Sequence, residues 1–448
     1  MRPLYTTLAC AVLLFGGPTS GASAGSDPSP DIPSMSLAQA LATALARNPT
    51  LAATASDSAA AGSRVRESRA SLYPELSVSA GYTRTEEPNI ILPIHQVGVF
   101  PPLDNDIYEG QARLSAILFD GGRRGAQIRS SSADAEAAGA RHEWSRLETI
   151  AGVTRLFLEA RRIDASLELV KSRMNVLRRH RHEVAVLVSE GRASEIDFAL
   201  VEASLAQGLS DSLATASRRR ETAFSLARWI GTETAVSPEV GPATSPYHAP
   251  PHLQSADKET LAPAVRESMA RLEQAEAQYT AATKAYWPEL TAFGILTSRS
   301  GDDLDFTGEW AAGVAVRMPL YTGGKRRANS QASAASLAAA DYRHAAVLQL
   351  QQASDALARE RWITSIERLD AVDIAVAAKT HAVAAQYELY RSGRLTLSEL
   401  LTQENELMSL RLEGTYVAHA GSLAILDYHV VNGTLTATEA HAIVEGEK

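Results

Sequence analysis

The chain has 448 residues, 45% hydrophobic and 21% charged, with a formal net charge of −9. That acidic balance excludes the basic surface of a nucleic-acid binder, and the supply of Leu and Val excludes general disorder. Alanine accounts for 78 residues, whereas the prolines are segregated: none lies between Leu103 and Ser237 and none after Pro319. Two such proline-free stretches predict very long helices.

Residues 1–24 have the form of an export signal, with Arg2, the apolar segment Leu8 to Phe15, and the small-x-small site Ala22-Ser23-Ala24. Cleavage there removes Cys10, the single cysteine, and leaves no thiol for a disulfide or a thiolate metal site. Residues 25–35 are expected to be flexible. Beyond the signal no apolar run reaches the ~18 residues of a membrane-spanning helix.

The rest of the chain repeats itself. Phe119-Asp120-Gly121-Gly122-Arg123 returns as Tyr321-Thr322-Gly323-Gly324-Lys325, an offset of 202 residues. Glu190-Gly191-Arg192 returns as Ser392-Gly393-Arg394, and Gly231-Thr232 as Gly433-Thr434, both at the same offset. Tyr73-Pro74-Glu75-Leu76 matches Trp287-Pro288-Glu289-Leu290 at an offset of 214, the difference falling in a longer loop within Glu86 to Tyr108. A tandem duplication follows, with repeats at 36–236 and 260–435, a proline-rich linker at 237–259 and a tail at 436–448.

Each repeat opens with a helix, Ser36 to Leu72 or Thr260 to Tyr286, that stops before a proline. The period then changes to two. Leu76, Val78, Ala80 and Tyr82 alternate with small polar residues, as do Ala112, Leu114, Ala116 and Leu118. Trp310, Ala312, Val314, Val316, Met318 and Leu320 alternate likewise, while Leu290 to Thr297 is less regular. These are β-hairpins at 75–119 and 289–320, with strands of about 9–11 residues, the length of a tilted strand crossing a bilayer. Soluble hairpins would show the same alternation.

After each double glycine the helical period returns. Ile163, Leu167, Val170, Met174, Leu177, Val184 and Val188 form a coiled-coil seam, with Arg181 as its polar break. Arg123 to Glu190 makes roughly 100 Å of helix. Turns near Gly191 and Gly393 send the chain back through Ser194 to Trp229 and Thr396 to Val431. Four strands cannot close a barrel, and an open sheet in lipid leaves backbone groups unpaired at several kcal/mol each. Closure needs several copies, and three, with twelve strands, leave a pore where eight strands fill with side chains.

In this order the sequence closely resembles the TolC-like outer-membrane efflux proteins, the outer membrane factors. The carriers are Leu37-Ala38-Gln39-Ala40-Leu41 with Asn48-Pro49, the duplicated Pro-Glu-Leu strand starts and Gly-Gly-Arg/Lys strand exits, and the two glycine turns. The resemblance implies a mainly α fold with membrane β: tandem-duplicated long helical hairpins forming a coiled-coil tunnel, and two β-hairpins giving four strands to a trimeric 12-strand outer-membrane barrel. It implies an outer-membrane channel of a tripartite efflux or type I secretion system, working with a periplasmic adaptor and an inner-membrane transporter.

The resemblance also supplies site residues. Tyr390 matches a gate tyrosine and Asp197 its carboxylate partner; the family's second gate link uses an arginine at the place of Leu395, and Arg394 stands beside it. Glu399 matches an acidic constriction residue, whereas the second ring position is Thr402. Glu190, Gly191, Arg192, Ser392, Gly393 and Arg394 are expected to form adaptor-docking turns. Independently of the resemblance, Arg123, Arg124, Lys325, Arg326 and Arg327 begin helices, where the macrodipole disfavours cations; they are expected either to meet lipid phosphates at the inner edge of the barrel, the membrane interface, or to form a solvated basic face.

No enzymatic activity, cofactor or metal is expected. His180 and His182 lie on different helix faces, His182-Glu183 lacks the second histidine of a zinc-protease motif, and Gly121 to Gly125 lacks nucleotide-loop spacing. The rival readings are a structural or adhesive trimer with a coiled-coil stalk, and a soluble coiled-coil scaffold.

Overall fold

The computed structural model describes residues 32–91, 102–241 and 261–446. The signal segment, most of the linker and part of the long hairpin loop lie outside the described residues.

The chain opens with strand β1 (Ser34–Met35), helix α1 (Leu37–Arg47) and helix α2 (Pro49–Ala70). The single helix expected over 36–72 is split, because Pro49 has no N–H to donate. The Asn48 side chain instead accepts the N–H groups of Thr50 (2.9 Å) and Leu51 (3.2 Å) and starts a new helix. Strands β2 (Glu75–Ile90) and β3 (Leu103–Phe119) follow, then α3 (Arg123–Ser189), α4 (Glu195–Ile230) and strand β4 (Ser237–Pro238). The second repeat runs α5 (Pro263–Lys284), β5 (Glu289–Ser300), β6 (Thr307–Arg317), α6 (Lys325–Arg391) and α7 (Leu397–Asn432), and α8 (Ala437–Glu445) closes the chain.

The duplication is carried into the elements. Helices α3 and α6 each have 67 residues, and α4 and α7 each have 36. Gly191 and Gly393, at φ of 70° and 72°, make the two far turns in the left-handed region that glycine enters at least cost.

Both ends of the described chain carry secondary structure. β1 pairs in parallel with β4, so the start of the linker ties to the segment just before α1. The 436–448 tail carries α8, capped by Thr436 with Glu439 and seated by Ala440, Ile443 and Val444 in the largest apolar cluster. That cluster belts the middle of the long helices, joining Leu37 and Leu41 of α1 to Ile150, Phe157, Leu226, Ile230, Ile425 and Leu426. Within it Gly152 lets α3 approach Trp229 of α4: a Cβ there would lie 2.4 Å from the indole.

The helices form a wall. Toward the sheet its order is α2-α3-α5-α6, and toward the turns it is α4-α3-α7-α6. The sheet has the matching order β2-β3-β5-β6, all antiparallel. One chain therefore leaves both edges of sheet and wall unpartnered by itself.

Candidate functional site

The sheet separates its residues by face. Register places Leu76, Leu114, Gly294 and Ala312 in one row, and Val78, Ala112, Leu296 and Trp310 in the next. Because side chains alternate along a strand, these rows share a face, and Val314 and Val316 extend it. Exposure there is high: Val78 78%, Trp310 80%, Val316 70%. Large apolar side chains left open on a whole sheet face call for lipid rather than water. The opposite face presents Ser79, Gln111, Thr297 and Glu309 in one row and an Arg299–Glu109 ion pair at 2.8 Å in another. Register also explains the irregular strand: Leu290, Ala292, Gly294 and Leu296 of β5 keep the apolar face, while Phe293 and Ile295 lie on the other face and blur the alternation.

Strand length departs from expectation. The second hairpin, with strands of 12 and 11 residues, has bilayer length, whereas β2 and β3 reach 16 and 17. The extra pairing lies beyond an irregularity between Arg84 and Asn89, where the Asn105 side chain donates to the carbonyls of Thr85 and Glu86. At this end Asp104, Asp106 and Asp302 bring carboxylate oxygens within 4.8 Å of one another. Asp104 accepts the Asp302 N–H at 2.7 Å, and Tyr82 and Arg84 donate to Asp106, so the cluster ties the two hairpins together.

The basic residues at the sheet–helix junction divide. Arg124 is half-buried and committed: it pairs with Asp120 at 3.2 Å and donates to the carbonyls of Ser71 (2.9 Å) and Ile117 (2.8 Å). Arg123 pairs with Glu289 at 2.6 Å, and Arg326 donates to the Pro319 carbonyl while lying over the Tyr286 ring. Of the five cations expected at the membrane interface, Lys325 and Arg327 are exposed, Arg123 is exposed and ion-paired, and Arg124 and Arg326 are half-buried.

At the far end, α3, α4, α6 and α7 pack around Leu177, Val184, Val201, Leu397 and Leu401, with Tyr390 against them. Tyr390 and Asp197 come near each other without the expected hydrogen bond. The Asp197 carboxylate turns back to the Ser194 N–H at 3.2 Å, closing a capping box at the start of α4. Burial, with the charges of Glu183 and Asp197, raises the Tyr390 phenol above its ordinary pKa. A phenol–carboxylate bond across the repeats does form one turn earlier, from Tyr387 to Glu183 at 2.9 Å.

Glu399 is likewise a cap residue, accepting the Thr396 N–H at 2.9 Å and its hydroxyl at 2.8 Å. Those bonds lower its pKa, so it holds its charge on the exposed face of α7. Thr402 is exposed and bonds the Ser398 carbonyl. Arg394 is exposed, as are Glu190, Gly191, Arg192, Ser392 and Gly393, so both turns are open surface; Leu395 is half-buried. The caps were readable as Ser194-x-x-Asp197 and Thr396-x-x-Glu399, the pattern of a capping box.

Sequence reasoning missed the most buried polar group of the tip. His180, 3% exposed, takes the inward place in the seam, and Arg181 points outward to Glu202 at 3.0 Å. The expected polar break at Arg181 is thus a buried histidine. Its Nε2 lies 2.9 Å from Glu404 of α7.

A lipid-facing sheet continued by a helical wall has its counterpart in one family. The family model described as outer membrane efflux protein matches residues 40–232 and 259–417. The chain belongs to the outer membrane efflux protein family. It is an outer-membrane efflux protein. The fold agrees with solved channels: VceC of Vibrio cholerae (TM-score 0.76, 18% identity, covering 88% of this chain and 96% of that one) and CmeC of Campylobacter jejuni (0.76, 16%, 90% and 88%). The open-state MtrE channel of Neisseria gonorrhoeae is also similar (0.73, 20%, 89% and 91%). No curated protein matches the chain in sequence.

Proposed function

We propose that three copies of this outer membrane efflux protein close a 12-strand barrel and a tunnel that passively conducts substrates handed over by a periplasmic adaptor and an inner-membrane transporter. The observation that carries this reading is the matched order of sheet and wall, with an open edge at β2 and α2 and another at β6 and α6. In lipid the unpaired strand edges must be satisfied by neighbouring copies, and the closing contact is head-to-tail and ring-forming.

The turns at Glu190-Gly191-Arg192 and Ser392-Gly393-Arg394 are the adaptor-docking surface in this reading. Tyr390, Asp197 and Arg394 belong to the periplasmic gate, and the ionised Glu399 with Thr402 forms the constriction. A ring of carboxylates favours cations. Lys325, Arg327 and Arg123 form the basic collar that meets lipid phosphates.

The deciding experiment is reconstitution of the purified full-length protein in a planar lipid bilayer, with cross-linking of the same sample. Ion conductance from a species of three chains is expected. A soluble, non-conducting protein, or a conducting species of another copy number, refutes the assembly.

A further inference from the structure

Ten residues before the first turn, roughly 15 Å along the helix, a polar group lies inside the apolar seam and touches both repeats. His180 of α3 places Nε2 2.9 Å from Glu404 Oε1 of α7 and Nδ1 3.6 Å from Glu183 Oε2. Tyr387 of α6 donates to the other Glu183 oxygen at 2.9 Å, and its ring centroid lies 5.7 Å from the imidazole. We propose that His180, Glu404 and Glu183 form an acid-strengthened clamp that holds hairpin α3–α4 to hairpin α6–α7, so that the periplasmic tip opens more readily as pH rises. The proposal rests on the reading of this tip as the gate.

The geometry favours the doubly protonated ring. A neutral imidazole has one N–H. If that proton sits on Nε2, it serves Glu404, and the lone pair of Nδ1 then faces the Glu183 carboxylate. His180 Nδ1 and Glu404 Oε2 are both buried without a hydrogen-bond partner. The imidazolium donates from both nitrogens and is attracted by both carboxylates.

Among the described residues, the charges that act most on the ring are those of Glu404 and Glu183. From α7 it faces Glu404, from its own helix Glu183, and from α6 the Tyr387 phenol, with Tyr390 beyond. On α4, Glu202 is paired with Arg181 and Asp197 caps its own helix. Arg173, farther up α3, donates to Asn405 and acts on Glu404. Nor does the seam require a histidine at this level, since the duplicated position in α6 is Ala382.

Burial is the largest influence on the ring and opposes its charge, but the hydrogen bond to Glu404 and the charges of Glu404 and Glu183 together outweigh it and raise the pKa. A raised histidine pKa means that the clamp contributes fully below the unfolded value of about 6.5 and is lost as pH climbs through the folded value. Deprotonation leaves the Glu404 bond but removes its charge, so the clamp weakens rather than breaks.

The test is single-channel recording of the reconstituted full-length protein. Open probability should rise about threefold or more between roughly pH 5.5, below the ordinary histidine value, and pH 8.5. His180→Gln, which keeps a donor for Glu404 without titrating, should abolish the slope, and the near-isosteric Glu404→Gln should flatten it. A flat wild-type profile, or an undiminished slope in His180→Gln, overturns the clamp. Absence of conductance in every protein at every pH instead removes the channel reading, and the clamp with it. Independently, spin labels at Ser189→Cys and Ser392→Cys, both on exposed turns and in a Cys10→Ser background, should separate as pH rises; an unchanged distance overturns the proposal.

Discussion

Replacing Gly152 by alanine tests how closely the wall is packed. Gly152 lies inside α3, where alanine alone would favour the helix by about 0.8–1.0 kcal/mol. The added Cβ, however, meets Cζ2 of Trp229 at 2.4 Å and Cε2 at 2.6 Å. Trp229 cannot simply withdraw, because its carbonyl accepts the Asn48 side chain at 3.0 Å and the fully buried Ile230 follows it. Overpacking of this kind costs about 1–3 kcal/mol, so after the propensity gain the net effect is destabilising by up to about 2 kcal/mol. Gly139 on the same helix is the matched control: nothing lies within 4 Å of its added Cβ, and Gly139→Ala should stabilise by most of the propensity term. Thermal unfolding of the detergent-solubilised protein, followed by circular dichroism, should move the midpoint down for Gly152→Ala and up for Gly139→Ala. Shifts are about a few degrees or less in a chain of this size. Adding Trp229→Leu should recover much of the loss, because the two changes share one contact. An increase in midpoint for Gly152→Ala would refute the close-approach argument.

The junction and the constriction give two further tests. Arg124→Ala should impair membrane insertion, because it frees Asp120 and two carbonyls from a half-buried site, a loss of about 1–3 kcal/mol, whereas Arg327→Gln should leave insertion and stability unchanged and weaken binding to anionic vesicles. Equal effects of the two in vesicle flotation would reject the division of the basic residues. Glu399→Gln should lower cation preference in reversal-potential measurements, and wild-type preference should persist well into the acid range because the Glu399 pKa is depressed and the charge is lost only as pH falls through that lowered value. Unchanged selectivity would remove Glu399 from the constriction.

The sequence made the long helices legible because glycine markers at a constant offset fix both ends, and nothing between them breaks the helical period. The hairpins were legible for a related reason: alternation survives in three strands of four. The face of β5 required register, since Gly294 and Ala292 carry no hydropathy signal of their own. The early break at Asn48–Pro49 could have been read from the proline, but the continuous Ala-rich composition masked it. At the tip, Asp197 and Glu399 each also cap a helix, because an N3 acid three residues after Ser or Thr satisfies the nearest free N–H. His180 was hidden for a different reason: Glu404, its partner, is 224 residues away. Only the folding of one repeat onto the other brings them together.

The open edges also constrain how copies must meet. Each chain contributes an even number of strands, so β6 of one copy and β2 of the next run in opposite directions and can form the same antiparallel ladder as the pairs within the chain. Between β2 and β3, β3 and β5, and β5 and β6, residues paired before any irregularity share parity: Val78 with Ala112, Ala112 with Leu296, Leu296 with Trp310. That parity keeps the apolar face on one side. A slip of one residue at the junction between copies would carry Leu76, Val78 and Tyr82 to the polar side. The lost apolar burial in lipid, about 1.5–3 kcal/mol for each large side chain, selects against it. Cysteine at Val78 should therefore cross-link between copies with cysteine at one of Trp310, Ala312 or Val314, at the site set by register, and not with Ala311 or Gly313. Preferential bridging to the odd-numbered positions would place the apolar rows of adjacent copies on opposite sides, and a continuous lipid-facing barrel could not be built from this sheet.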